Sequence, residues 1–203
     1  ALLALHEVTA ERAWLTLAHE SLLAIGARFA GAGAGFAAAV GDGVLSPVVD
    51  RSENVQLARV AVRVWHATHD ARCRAIADRA FAFVASEAAA PHPGPPPDLL
   101  LAADELAGAP LHVVVVGADD DPTAAALWAS ALRTAAPFRL LERLRPDEAA
   151  ADGTTYPAAD GAVAYVCGMG SCSPPIDAPA ALAARLLTQP PPTTDSTKPS
   201  RES

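Results

Sequence analysis

The stretch Leu111-His112-Val113-Val114-Val115-Val116-Gly117 constrains this chain most, because it is the only long β-branched run present. Four successive valines are stiff at χ1. Bounded by Pro110 and Gly117, they make too short a run for a helix of ordinary length. They predict a strand buried on both faces, of the kind that parallel crossovers return to. Asp119-Asp120-Asp121-Pro122 follows, with Asp121 as the cap candidate and proline at the first helical position. Leu127, Trp128, Ala131 and Leu132 carry that helix onward. Phe138-Arg139-Leu140-Leu141 then reads as a second strand that closes a right-handed βαβ crossover. A third strand is predicted over residues 162–167, and Asp177 with Pro179 predicts the start of a last helix through Leu182, Leu186 and Leu187. The unit is thus a small three-stranded α/β unit.

Everything before the valine run reads as helix, and it contains a repeat. Trp14, Leu17, Ala18, Ser21, Leu22 and Ile25 share one helical face. The positions 59 residues later, Cys73, Ile76, Ala77, Ala80, Phe81 and Val84, share a matching one. The turns match at the same offset: Glu7-Val8-Thr9-Ala10-Glu11 corresponds to His66-Ala67-Thr68-His69-Asp70. Two helix-turn-helix hairpins are therefore predicted within residues 1–85, the first over 1–29 and the second over about 54–85. Ser52-Glu53-Asn54 supplies the caps of the third helix, which carries Val55, Ala58, Val62 and Trp65 on one side. The glycines between the hairpins follow a helix rather than a strand, and no helix opens on them, so the geometry of a phosphate cradle is missing. Prolines at 91, 93, 95, 96 and 97 make residues 86–98 a Pro-rich linker, after which a short helix over 99–106 leads into the valine strand. The α/β unit spans 99–187, and from 188 to 203 the tail has no apolar periodicity and is expected to be disordered.

Composition narrows the partners. A length of 203 residues allows one domain or two small ones. Ala1 lies already inside a helical pattern, so the chain is expected to be a piece of something longer. Alanine supplies much of the 51% hydrophobic content, and no run of about eighteen apolar residues crosses a membrane. A net charge of -8 argues against nucleic acid and anionic membranes as partners, which need clustered Lys and Arg. A soluble acidic protein is expected.

Candidate chemistry is sparse. Cys167 and Cys172 enclose four residues, too wide for the usual redox pair and half of a zinc site. A structural loop, a reversible disulfide and a metal site with further ligands are all compatible with that spacing. Cys73 sits on an apolar helical face as a small core residue. Asp119, Asp120 and Asp121 follow a strand, where they serve either as a helix cap or as magnesium ligands. His6, His66 and His69 lie near the hairpin turns and read as surface or capping residues before ligands. No motif calls for a cofactor or a resident metal. Glu53 and Asn54 open a helix after a long loop, which in a ring of hairpins would face a central funnel.

Several of these residues together resemble a known family. Residues 99–106 leading into the valine strand, then Asp121-Pro122, and later Ala164-Tyr165-Val166-Cys167 with Cys172, Pro175, Asp177 and Leu182, are similar to the C-terminal end of the spermatogenesis-associated protein 20 family. Its members are thioredoxin-domain-containing proteins in which a thioredoxin-like domain precedes an (α/α)6 toroid of the six-hairpin glycosidase type. The resemblance covers almost the whole chain up to Leu187 and implies a mainly α fold. The two hairpins would be the last of the toroid, with the remaining hairpins and an N-terminal thioredoxin-like domain as partners. Relatives open the helix after the long loop with a Pro-Ser-x-Asn-Ser pattern, whereas here Glu53 precedes Asn54 and Val55 replaces the second serine. The function implied is a structural or substrate-binding portion of a carbohydrate-enzyme-like protein. In it Glu53 is the candidate catalytic acid, and Asn54 the candidate contact to a sugar or other small molecule. A part in a glycosidase or sugar epimerase is the enzyme alternative. The redox alternative has Cys167 and Cys172 serving the thioredoxin-like domain.

Overall fold

A computed structural model describes residues 1–31, 33–39, 48–86, 97–136, 138–157, 159–168 and 170–188. The described residues form α1 (Leu2–Thr9), α2 (Arg12–Phe29), α3 (Arg51–Thr68), α4 (Ala71–Val84), α5 (Pro97–Ala107), β1 (Leu111–Val116), α6 (Pro122–Arg133), β2 (Arg139–Leu144), β3 (Val163–Gly168), β4 (Ser171–Cys172) and α7 (Pro179–Leu187). The chain is mainly helical, with two helical hairpins followed by a small mixed sheet. Most of the glycine loop at 40–47, residues 87–96 of the expected linker and residues 189–203 of the expected tail lie outside the described residues.

The repeat of 59 residues is a repeat of turn geometry. Ala10 and His69 end α1 and α3 in the left-handed region, at φ 61° and 54°. Their N–H groups reach back to the carbonyls of His6 and Trp65 at 2.8 and 2.7 Å. Thr9 and Thr68 each donate a hydroxyl to the carbonyl four residues earlier and accept the N–H two residues later. The copies differ at the next helix start. Asp70 caps α4 by accepting the Arg72 N–H at 2.9 Å, whereas Glu11 makes no such bond.

Helix α4 buries Cys73, Ile76, Ala77, Ala80 and Val84, the face its periodicity predicts. Helix α2 departs from expectation. Leu15, Ala18 and Leu22 are buried, but Leu17 and Ile25 are 44% and 37% exposed, because no described element covers that flank. The start of α3 also differs. Its cap is Asp50, which accepts the Glu53 N–H at 2.9 Å and the Ser52 hydroxyl at 2.7 Å, so the helix begins before Ser52-Glu53-Asn54. The Asp50-x-x-Glu53 spacing is that of a capping box. Helix α5 starts at Pro97, earlier than expected, and docks on α3 through buried Glu105. That carboxylate takes two bonds from Arg59, at 3.0 and 2.9 Å, and one from Arg63 at 2.6 Å. Burial alone would raise its pKa most, but the combined arginine bonds hold it below the ordinary value.

The sheet has the order β2-β1-β3-β4. Strands β1 and β2 are parallel, as the crossover requires, and β3 returns antiparallel on the other side of β1. A fourth strand, β4, was not legible, since two residues carry no alternation. Val113 and Val115 face α6 and α7 in a cluster with Leu127, Trp128, Leu182 and Leu186. Val114 and Val116 face Leu144, Val163 and Tyr165 on the other side. All four valines are at most 4% exposed, and burying each contributes about 1.5 kcal/mol. Gly117 ends the strand where a Cβ would stand 2.7 Å from the Ala162 Cβ and 2.9 Å from that of Ala124. Asp121 caps α6 through the Thr123 and Ala124 amides, as expected. Helix α7 starts at Pro179 with Ala178 at its cap position, so Asp177 does not make the expected start.

Candidate functional site

Strand register assembles a polar row on the face of the sheet away from α6 and α7. His112 lies two residues before Val114 on β1 and stands directly opposite Cys167 on β3. Glu142 on β2 pairs with Val114, which sets it diagonal to His112 on the same face. The His112 Nε2 and Glu142 Oε2 atoms are 2.9 Å apart. Glu142 is 5% exposed, and its other oxygen accepts the Ala151 N–H at 2.9 Å. A carboxylate accepts and does not donate, which assigns the ring proton of His112 to Nε2 and leaves the Nδ1 lone pair open. Tyr156, on the loop that covers this face, places its hydroxyl 3.5 Å from that Nδ1 and 4.0 Å from Cys167 Sγ. Its ring packs against Tyr165 at 5.5 Å and edge-on to His112 at 6.3 Å. Burial, helped by the charges of Asp152 and Glu142, pushes the phenol up to about 12, so it keeps its proton at physiological pH.

Cys167 and Cys172 are joined in a disulfide, each the cross-strand partner of the other on β3 and β4. The Ser173 N–H donates to the Val166 carbonyl at 2.9 Å, so the next pair outward is a non-hydrogen-bonded one, where side chains approach most closely. Gly170, at φ 78°, makes the turn that a side chain would resist. Cys172 is exposed and Cys167 half-buried. The outer sulfur therefore faces solvent while the inner one faces Tyr156.

Glu53 and Asn54 belong to a different place. They border an apolar cavity of about 660 Å³ between the hairpins, whose walls include Leu2, Leu22, Ile25, Phe36, Leu57 and Val60. Glu53 is exposed at the rim and is the one carboxylate among the described residues lining it. Asn54 is 1% exposed. Its Oδ1 accepts the Phe36 N–H at 2.8 Å, and its Nδ2 donates to the carbonyls of Phe36 and Asp50 at 2.9 and 2.7 Å. The amide pins the interhairpin loop to the start of α3.

The remaining candidates do not converge. Asp121 caps α6, while Asp119 pairs with Arg145 at 2.9 Å. His6 lies within 3.1 Å of the Glu11 carbonyl through Nδ1, and His69 is the αL cap of α3. His66 stacks beside Trp65 and Phe138, and burial, reinforced by the Arg74 and His69 charges, lowers its pKa to about 4. His112, Glu142 and Tyr156 carry no motif in the sequence. Their signal was a histidine and a glutamate each two residues from buried apolar positions, Val114 and Leu144, which only the strand register turns into neighbours. Comparisons with protein-family models, with curated proteins and with solved structures return no match to this chain.

Proposed function

We propose that this chain carries a thiol–disulfide exchange unit centred on Cys167 and Cys172. The observation that supports it is the Tyr156 hydroxyl lying between Cys167 Sγ and His112 Nδ1, with Cys172 open to solvent on the outer side. An incoming thiolate attacks Cys172 Sγ, the Cys167–Cys172 bond breaks, and Cys167 leaves as a thiolate beside Tyr156. The phenol keeps its proton and hydrogen-bonds the leaving sulfur. A second thiol of the attacking dithiol then displaces Cys172, leaving the chain reduced and the dithiol oxidised. A thioredoxin-like dithiol is the partner chemistry this fits. Reduction by a dithiol should be fast under native conditions, and a partner dithiol whose second cysteine is replaced by serine should be trapped as a mixed disulfide at Cys172. Tyr156→Phe should slow reduction about tenfold, the effect of one hydrogen bond to a charged group. A disulfide that survives excess dithiol in the folded chain would sink this reading.

A second reading is favoured by the open cavity beside Glu53. In it the two hairpins are the last of an (α/α)6 toroid in a spermatogenesis-associated protein 20-like parent, and they take part in holding a sugar or other small molecule. Glu53 has no second carboxylate beside it among the described lining residues, as general acid and base pairs require. The chain alone should therefore not hydrolyse or epimerise sugars. Glycoside turnover abolished by Glu53→Gln would reverse that expectation.

A further inference from the structure

The geometry points to a divalent-metal site, of zinc type, formed by His19, Asp70 and Cys73 where the first hairpin meets the turn of the second. One ligand atom from each of the three residues lies within 4.8 Å of the other two. His19 comes from α2, Asp70 is the cap of α4, and Cys73 lies in the first turn of that helix. A thiolate, an imidazole and a carboxylate form a donor set suited to zinc, at bond lengths of about 2.0–2.3 Å, with a fourth position for water. Tetrahedral bonds of that length set the ligand atoms roughly 3.3–3.8 Å apart, so the closest pair opens slightly while the widest draws in.

The surroundings favour the site in two ways. His19 Nε2 and Asp70 Oδ2 already face each other at 2.8 Å, so an ion replaces the ring proton between them. Arg72 donates to Asp70 Oδ1 at 3.0 Å and to Oδ2 at 3.1 and 2.6 Å, which fixes the orientation of the carboxylate. The His19 and Asp70 side chains are 24% and 17% exposed, which gives an ion a route to the fully buried Cys73. The repeat adds a contrast. At the position equivalent to Cys73 the first hairpin has Trp14, so the ligand set exists at one turn only.

Cys73 is the only free cysteine, so cobalt(II) offers a direct probe in the chain with its Cys167–Cys172 disulfide kept oxidised. One equivalent should bind per chain with a thiolate-to-metal charge-transfer band and the visible bands of a tetrahedral ion, and zinc should displace it. Cys73→Ser should abolish the charge-transfer band. His19→Gln should weaken binding at least about tenfold while keeping the metal-free melting temperature, which separates ligand loss from unfolding. Absence of the thiolate band in the wild-type chain, or cobalt and zinc affinities that His19→Gln leaves unchanged, would overturn the site.

Discussion

His66 is where a single residue gives the fold a pH dependence. Its ring lies between Trp65 and Phe138, with Nε2 buried and without a hydrogen-bond partner. The unfolded chain takes up this proton near 6.5, whereas the folded chain takes it up only near 4. Between those values the unfolded state binds more protons. The contribution is therefore complete above pH 6.5 and is lost as pH falls toward 4. The ring retains access to solvent, so only part of the full linkage is delivered, about 1 kcal/mol. His66→Phe should flatten the stability curve between pH 6.5 and 4, read as the difference from wild type in urea unfolding at each pH. Equal slopes in the two proteins would show that the ring is protonated in the fold.

At the scale of elements, the two left-handed caps carry the same backbone cost in both hairpins. A Cβ in the left-handed region is disfavoured by roughly 1–2 kcal/mol, and Ala10 and His69 both carry one. Glycine removes that term and gives back part through unfolded-state freedom, so Ala10→Gly should gain about 0.5 kcal/mol in denaturant unfolding. The matching change at His69 should do the same, and the two should add because they lie in separate turns. A loss of stability on Ala10→Gly would mean that its methyl, packed toward the α/β core, matters more than its backbone angle.

These elements also mark what the sequence could disclose. The valine strand, the Asp121-Pro122 helix start and the paired turns are local signals, and each stands where its residues predict. Position in space is another matter. Leu17 and Ile25 have the periodicity of buried residues yet remain exposed, because burial depends on a neighbour that periodicity does not contain. Ser52-Glu53-Asn54 offers three polar residues as caps of α3, while the helix begins on Asp50, whose carboxylate is the one that bonds the Glu53 amide. Glu142, His112, Tyr156 and Cys167 are separated by up to 55 positions in the chain, and only a parallel and an antiparallel register together make them a row.

Across the whole molecule the uneven coverage of the hairpins leads to the last prediction. Leu5, Val8, Leu17, Ile25 and Val60 are 37–64% exposed on α1, α2 and α3, and the apolar cavity of about 660 Å³ opens between those helices. Scattered apolar residues at a surface are ordinary; a cavity with apolar flanks on adjoining helices is a surface of the kind that repeated hairpins cover with the next hairpin. The chain by itself should therefore bind a hydrophobic dye in its native state. Ile25→Ser together with Val60→Ser should reduce that binding. Both side chains are more than half covered, so unfolding free energy should fall by about 1 kcal/mol for each. The readings separate two causes of dye binding. Fluorescence that falls while the melt stays cooperative places the dye on this flank. Fluorescence unaffected by the two substitutions, or absent from a monomeric wild-type chain, would mean that the cavity is not an open apolar surface in solution.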